Sequence, residues 1–335
     1  MKISIIIPLH NAEQYIETTL KSITQQKISN IEVLIINDCS TDKSIDIIEK
    51  FISNYSGNIQ FLLLHNTQNI GPGQSRNIGI RQATGEYIYF MDADDMLPSN
   101  ALEKMGTIIQ QLPVEAVITN HGFIAPDDLN PQNIQSSPKH PLIPTGEYKG
   151  NKLILSQKTF LPGTPWAKLI SRKFLLKNNL FFSKAYRGED SNWWKLCLFC
   201  FNDIYVLNEP LYFYRKGQYS LMKENNQKVY LFEQEILNLT HSYNFIKQRF
   251  RANYYHTNIY YDFEKERTHL VKKLFTLSTS SKYKYFLNIY NLHFNKWMEF
   301  LYGCPKIKDK INNLYLLFPP QMGFTIAKII ASIKL

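Results

Sequence analysis

The chain has 335 residues, with 38 Lys+Arg against 28 Asp+Glu for a formal net charge of +10, and is 44% hydrophobic and 14% aromatic. That composition excludes a disordered chain, and at about 100–200 residues per domain the length points to two domains. Residues 1–150 carry 10 basic and 16 acidic side chains and residues 151–335 carry 28 and 12, so the first half suits an acidic site and the second a polyanionic partner, nucleic acid or an anionic membrane face.

Strand and helix signals alternate through the first hundred residues. Ile3 to Pro8 reads as a short buried strand ended by proline, and a helix follows over roughly 12–26. Ile31–Ile36 is the next strand, Asp42 to about Tyr55 a helix capped by Ser40, Thr41 or Asp42, and Ile59–Leu64 a third strand. After the loop Asn66–Gly73 come a helix from about Gln74 to Thr84 and a strand, Tyr87–Met91, that runs into Asp92-Ala93-Asp94-Asp95. Continuous apolar strands separated by helices predict an α/β fold with a parallel sheet covered on both faces. Ligands of such sheets bind beyond the carboxyl ends of the strands, which places Asp38 and the acids at 92–95 on one crevice.

Residues 125–150 contain Pro126, Pro131, Pro138, Pro141 and Pro144 and read as a long loop. Alternation resumes over about 151–215, and from about 224 the chain reads as helical, basic and tyrosine-rich. The apolar run Ile3–Leu9 is too short for a leader, and Pro319, Pro320, Gln321, Gly323 and Lys328 interrupt the longest apolar stretch, against a membrane span of about 20 residues. A cytosolic or peripheral protein is expected. Cys39, Cys197, Cys200 and Cys304 are too sparse for a disulfide framework, and Cys197-x-x-Cys200 lies in an apolar helical run that favours core packing over redox or zinc chemistry.

Three carboxylates within Asp92–Asp95 repel one another unless donors or a cation neutralise them. A hard ion such as Mg²⁺ or Mn²⁺, completed by water and substrate phosphates, suits them; the alternative is an acidic helix N-terminus. The segment Asn69–Gly79 has a G-x-G at Gly71 and Gly73, but Arg76 stands where a dinucleotide fingerprint needs its third glycine. What remains is a glycine loop entering a helix with an arginine, suited to phosphate contact or simply a turn.

Together these strings resemble glycosyltransferase family 2. Ser4–Asn11, Ile35–Asp42, Asn69–Gly79, Gly85–Asp95 and Gly188-Glu189-Asp190 occur in the family's order and spacing across roughly residues 1–220. The resemblance implies a GT-A fold, a Rossmann-like and mostly parallel sheet. Residues 1–120 would form its nucleotide-sugar part, 121–220 its acceptor side and 221–335 a helical C-terminal extension.

It also implies a UDP-sugar donor bound by Pro8, Asp38 at the base, Arg76, and Asp92 near the ribose, with Asp94 and Asp92 as the D-x-D pair for a divalent metal, Mn²⁺ or Mg²⁺. Asn37 and Cys39 depart from the family's commoner aspartate and glycine. Asp190 matches the catalytic base that inverting transfer requires, with Glu189 at the acceptor; an acidic helix cap is the plain alternative. Arg215, in Tyr212–Arg215, matches a diphosphate contact or is a surface charge. Trp166, in Gly163–Lys168, either offers a sugar its face or packs in the core.

The implied reaction is a single displacement moving a hexose or N-acetylhexosamine to a cell-surface glycan such as lipooligosaccharide, capsule or another lipid-linked saccharide. A sugar nucleotidyltransferase would need a glycine-rich basic loop that Pro8–Glu13 lacks. A non-catalytic glycan- or lipid-binding scaffold need not keep Asp38, Asp92, Asp94 and Asp190 together. Beyond residue 224 the Lys and Arg clusters interleaved with aromatics suit an anionic lipid surface at the inner face of the cytoplasmic membrane, or merely face water. Nucleic acid has no evident use to such an enzyme. Gly323–Leu335 is expected to form an amphipathic helix with Lys328 and Ser332 opposite Ile326, Ile330 and Ile333.

Overall fold

The computed structural model describes residues 1–124, 144–149, 163–215, 228–249, 258–293 and 307–332. The chain divides into two compact units, Met1–Glu224 and Asn225–Leu335.

The first unit is built on one eight-stranded sheet. In chain order its strands are β1 (Ile3–Leu9), β2 (Ile31–Asn37), β3 (Gln60–His65), β4 (Tyr87–Phe90), β5 (Ala116–Ile124), β6 (Gly146–Lys149), β7 (Lys168–Ser171) and β8 (Asp203–Arg215). They lie side by side as β3-β2-β1-β4-β7-β5-β8-β6. The β1–β2, β1–β4, β2–β3 and β5–β8 pairs are parallel, and β7 runs antiparallel to both β4 and β5. Helices α1 (Ile16–Thr24), α2 (Ser44–Asn54) and α3 (Pro72–Gln82) connect the first four strands, and α4 (Ala101–Gln111), α5 (Arg172–Lys177) and α6 (Glu189–Cys200) follow among the later strands. The chain leaves β1 toward β2 on one side and returns to β4 on the other, so the crevice at the carboxyl ends of β1 and β4 is the topological switch point.

Ile3, Ile5, Ile6 and Ile7 of β1 are wholly buried, as a strand covered on both faces requires. Several local expectations need correction. Pro8 does not end β1 but pairs with Ile36 inside it; β4 pairs with β1 only as far as Ile6, so the missing N–H breaks no ladder on that side. β3 is the outer strand and its Leu62 is exposed, so the apolar run there is covered on one face only. α2 begins at Ser44, two residues later than expected, because the Asp42 carboxylate accepts from the Ser44 and Glu13 N–H groups just ahead of it. Gly146–Lys149, expected to be loop, forms β6 against β8; residues 125–143 lie outside the described residues. Cys197 and Cys200 are buried free thiols, as the apolar run implied.

Glu32 ties the strand starts together. Its carboxylate accepts from Ser4 Oγ, the Thr84 N–H and hydroxyl, and the Gly85 N–H, and pairs with Lys2 at 2.7 Å. Burial alone would raise this carboxyl, but the donors hold it down to about 2. A carboxyl depressed in the folded state stabilises above its unfolded value and loses that contribution as pH falls. Wild type should therefore lose about 2 kcal/mol between roughly pH 4.5 and pH 2, after allowance for solvent screening. Glu32→Gln should lack that acid step in urea unfolding measured across the same range.

The second unit is helical in its described residues: α7 (Lys228–Arg249), α8 (Asn258–Leu274), α9 (Lys282–Tyr290), α10 (Ile307–Asn312), a 3₁₀ turn (Leu314–Leu317) and α11 (Pro320–Ser332). Phe286 makes edge contacts with Tyr315 and Phe324 at its centre, and Glu264 and Arg267 form a fully buried ion pair. In α11, Gly323, Ala327 and Ile330 are buried while Met322, Lys328, Ile329 and Ser332 face solvent, so apolar groups lie on both sides of the helix. Ile333 lies outside the described residues. No helix among them is long and apolar enough to cross a membrane.

Candidate active site

The site forms where β1, β2 and β4 end, and helix α6 (Glu189–Cys200) closes it. Asp38 follows β2 and is buried. Its Oδ1 accepts from Asn66 Nδ2 at 2.8 Å and the Ile70 N–H at 2.9 Å, and its Oδ2 from the Gly71 N–H at 2.7 Å. A carboxylate has about four lone-pair positions, so these bonds leave room for one more donor. They also fix the loop that launches α3.

Arg76, on α3 and 5% exposed, is the centre of the arrangement. Its Nη2 lies 2.8 Å from Asp92 Oδ1 after β4, and its Nη1 lies 3.5 Å from Glu189 Oε1 at the start of α6. Burial disfavours the guanidinium charge, but Asp92 and Glu189 outweigh it. Its Nε is buried with no hydrogen-bond partner among the described residues. The glycine loop makes this closure possible: a Cβ on Gly73 would lie 2.7 Å from Glu189 Cγ. The G-x-G thus serves the approach of α6, a packing role that the sequence pattern alone did not suggest. Burial pushes the Glu189 carboxyl up to about 7 against the pull of Arg76, with Asp190 adding to the rise.

The acidic turn divides in two. Asp95 is fully buried, and it accepts from the Tyr212 hydroxyl and from the Arg215 N–H at 2.8 Å. Its carboxyl is raised by burial and by Asp94 and Asp92. Asp95 is thus a fastening of the turn to β8, together with the paired backbones of Met96 and Phe213. Asp92 and Asp94 keep partial exposure, and burial together with Asp92 pushes the Asp94 carboxyl up to about 6. Among the described residues no side chain donates a hydrogen bond to the Asp94 carboxylate, which has only its own backbone N–H. Among the described residues no three His, Cys, Asp or Glu side chains are grouped so as to hold a metal ion.

The remaining predicted residues are placed as follows. Arg215 is buried and is not a surface charge; its Nε donates to the Asp94 carbonyl at 2.8 Å and its guanidinium lies over the Tyr15 ring. Trp166 is 6% exposed and stacks on Tyr212 with centroids 4.6 Å apart, so it packs in the wall and offers no open face. Asp190 stands half-buried in the first turn of α6, with Oδ1 accepting the Ser191 N–H at 2.6 Å. Pro8 is half-buried near the end of β1. Sequence reasoning passed over Asn66, Tyr212 and Lys168. Only Lys168 carried a signal, a lone cation opening the apolar run Leu169-Ile170.

Comparison with known proteins bears on the same region. Cholesterol galactosyltransferase of Borreliella burgdorferi is 29% identical over 186 residues, covering 53% of this chain and 50% of that protein. Poly(ribitol-phosphate) beta-N-acetylglucosaminyltransferase TarS of Staphylococcus aureus is 27% identical over 225 residues, covering 65% of this chain and 37% of that one. This chain spans half or less of the length of these curated relatives. The crystal structure of S. aureus TarS 1-349 in complex with UDP-GlcNAc superposes with a TM-score of 0.67 at 18% identity, covering 99% of this chain and 90% of the other. The fold is therefore the GT-A fold. The family model for glycosyl transferase family 2 matches residues 4–175, half of the chain and the whole of the Asp38, Arg76 and Asp92–Asp95 arrangement, and the chain belongs to that family.

Proposed function

We propose that the protein is an inverting, metal-dependent glycosyltransferase that moves a hexose or N-acetylhexosamine from a UDP-sugar to a cell-surface or lipid-linked saccharide. The Asp92–Arg76–Glu189 bridge supports this reading best. One buried guanidinium joins the carboxylate expected at the donor to the helix that presents Asp190. In this reading the free lone pair of Asp38 takes an N–H of the base beside Pro8. Arg76 and Asp92 hold the ribose and diphosphate. Arg215 supports the turn from below and adds positive charge near the phosphates.

Asp190 accepts the proton of the acceptor hydroxyl as its oxygen bonds to the anomeric carbon and the bond to the diphosphate oxygen breaks on the opposite face. Glu189, raised to about 7, can either donate or accept a hydrogen bond to the acceptor at neutral pH. The donor set fits a divalent ion. Among the described residues Asp94 has no side-chain donor and is pressed by Asp92, and a cation held by these two carboxylates would relieve that repulsion. When bound there, Mn²⁺ or Mg²⁺ would supply positive charge to the leaving diphosphate. The crystallisation of TarS with UDP and with UDP-GlcNAc supports a uridine nucleotide donor.

Residues 225–335 carry 16 basic and 7 acidic side chains, which supports an acceptor met at an anionic membrane surface. The test is binding and slow hydrolysis of a UDP-sugar panel with Mn²⁺, Mg²⁺ or EDTA, run on one preparation with sedimentation on phosphatidylglycerol or neutral vesicles. One donor should bind and hydrolyse only with metal, and only anionic vesicles should carry the protein down at low salt. The enzyme reading fails if no nucleotide-sugar binds under any metal condition. Equal sedimentation on both vesicle types removes the membrane part alone.

A further inference from the structure

Lys168 opens β7 with its side chain fully buried. Nζ donates to the carbonyls of Thr164 at 2.6 Å and Trp166 at 3.2 Å and lies 4.5 Å over the Trp194 ring. Among the described residues no carboxylate pairs with it. A buried ammonium without a carboxylate costs several kcal/mol, whereas an apolar side chain of the same length would fill the space without that cost. Burial pushes this ammonium down to about 7, against the pull of Cys197 and Asp190. A charge kept at such cost beside a candidate active site points to a role there.

The surroundings show which role. Asp190, Trp194 and Cys197 are spaced by four and three residues, so they share one face of α6, and Lys168 lies against that face. His121 on β5 is a further titratable neighbour, its imidazole held down to about 4 by burial and by Lys168. The turn before Lys168 abuts the first turn of α6: a Cβ on Gly163 would lie 2.9 Å from Ser191 Oγ. Ala167 has φ +58, a left-handed conformation that costs a non-glycine residue about 1 kcal/mol. This strained turn is fastened at two carbonyls by one ammonium.

We propose that Lys168 is a positioning residue for glycosyl transfer: its ammonium draws the Thr164–Trp166 carbonyls onto the Asp190 face of α6 and so sets the angle at which Asp190 meets the acceptor. This rests on Asp190 as the base in the reading above.

The test uses the full chain with Lys168→Met, which removes the charge, and Gly163→Ala, which wedges the turn outward without touching the lysine. Hydrogen–deuterium exchange is followed in segments 163–171, 188–195 and 70–95. The kcat and KM are measured for hydrolysis of whichever UDP-sugar wild type turns over. Exchange should rise in the first two segments and stay unchanged in 70–95, while kcat falls about tenfold to a hundredfold and the donor KM holds within about twofold. Wild-type exchange over 188–195 in Lys168→Met overturns the proposal, as does wild-type kcat in both variants. A rise spread evenly over all segments marks a general packing role and also overturns it. If wild type turns over no donor, the enzyme reading fails, and the exchange data still decide whether Lys168 positions α6.

Discussion

Asp190→Asn is expected to lower sugar transfer and donor hydrolysis by about a hundredfold to ten-thousandfold, the range for loss of a general base, while UDP and Mn²⁺ bind as in wild type. The separation follows from position. Asp190 is half-buried at the start of α6, where its Oδ1 accepts the Ser191 N–H; among the described residues no hydrogen bond or ion pair joins it to Asp38, Arg76, Asp92 or Asp94, and Arg76 feels it only through its charge. Asparagine keeps the shape and that bond but cannot take a proton. Calorimetric titration with UDP and Mn²⁺, beside a hydrolysis assay, checks both halves. Loss of nucleotide binding in the variant would remove the base assignment.

Asp94→Ala should act on the other side of the reaction. UDP binding in Mn²⁺ should weaken about tenfold to a hundredfold, the equivalent of one charge-assisted contact of about 1.5–3 kcal/mol. Thermal stability should hold, because Asp94 is a carboxyl under pressure from burial and from Asp92, with no side-chain donor to lose among the described residues. Asp95 differs, since its oxygens fasten Tyr212 and the Arg215 backbone. The two adjacent acids therefore separate a ligand-facing role from a structural one. Unchanged UDP affinity in Asp94→Ala, or wild-type affinity in the presence of EDTA, would sink the metal-site assignment.

The alternation of apolar strands with helices through residue 91 was legible because a fully covered strand must be largely apolar on both faces, as Ile3, Ile5 and Ile7 on one face and Ile6 on the other are. The crevice position of Asp38 and Asp92 followed from the parallel order of their strands. Local propensity was less able to place edges. Leu62 looks like a core residue until β3 proves outermost, and Gly146–Lys149 has no strand signal of its own and is recruited by β8.

What the sequence by itself determined is the fold class and the family, together with the placing of Asp38 and Asp92 at strand ends, since these depend on pattern and spacing along the chain. Only the tertiary structure decided how those groups divide the work, because charge partners and burial arise between residues distant in the chain. Arg76 meets Glu189 across 113 positions, and Asp95 meets Tyr212 across 117. Trp166 loses its open face to Tyr212, and Arg215 is withdrawn beneath Asp94. Lys168, one cation at the head of an apolar run, becomes a buried clamp only when β7 and α6 are packed together. A charge has its energetic meaning from the groups and the dielectric around it, and those exist only once the chain has folded.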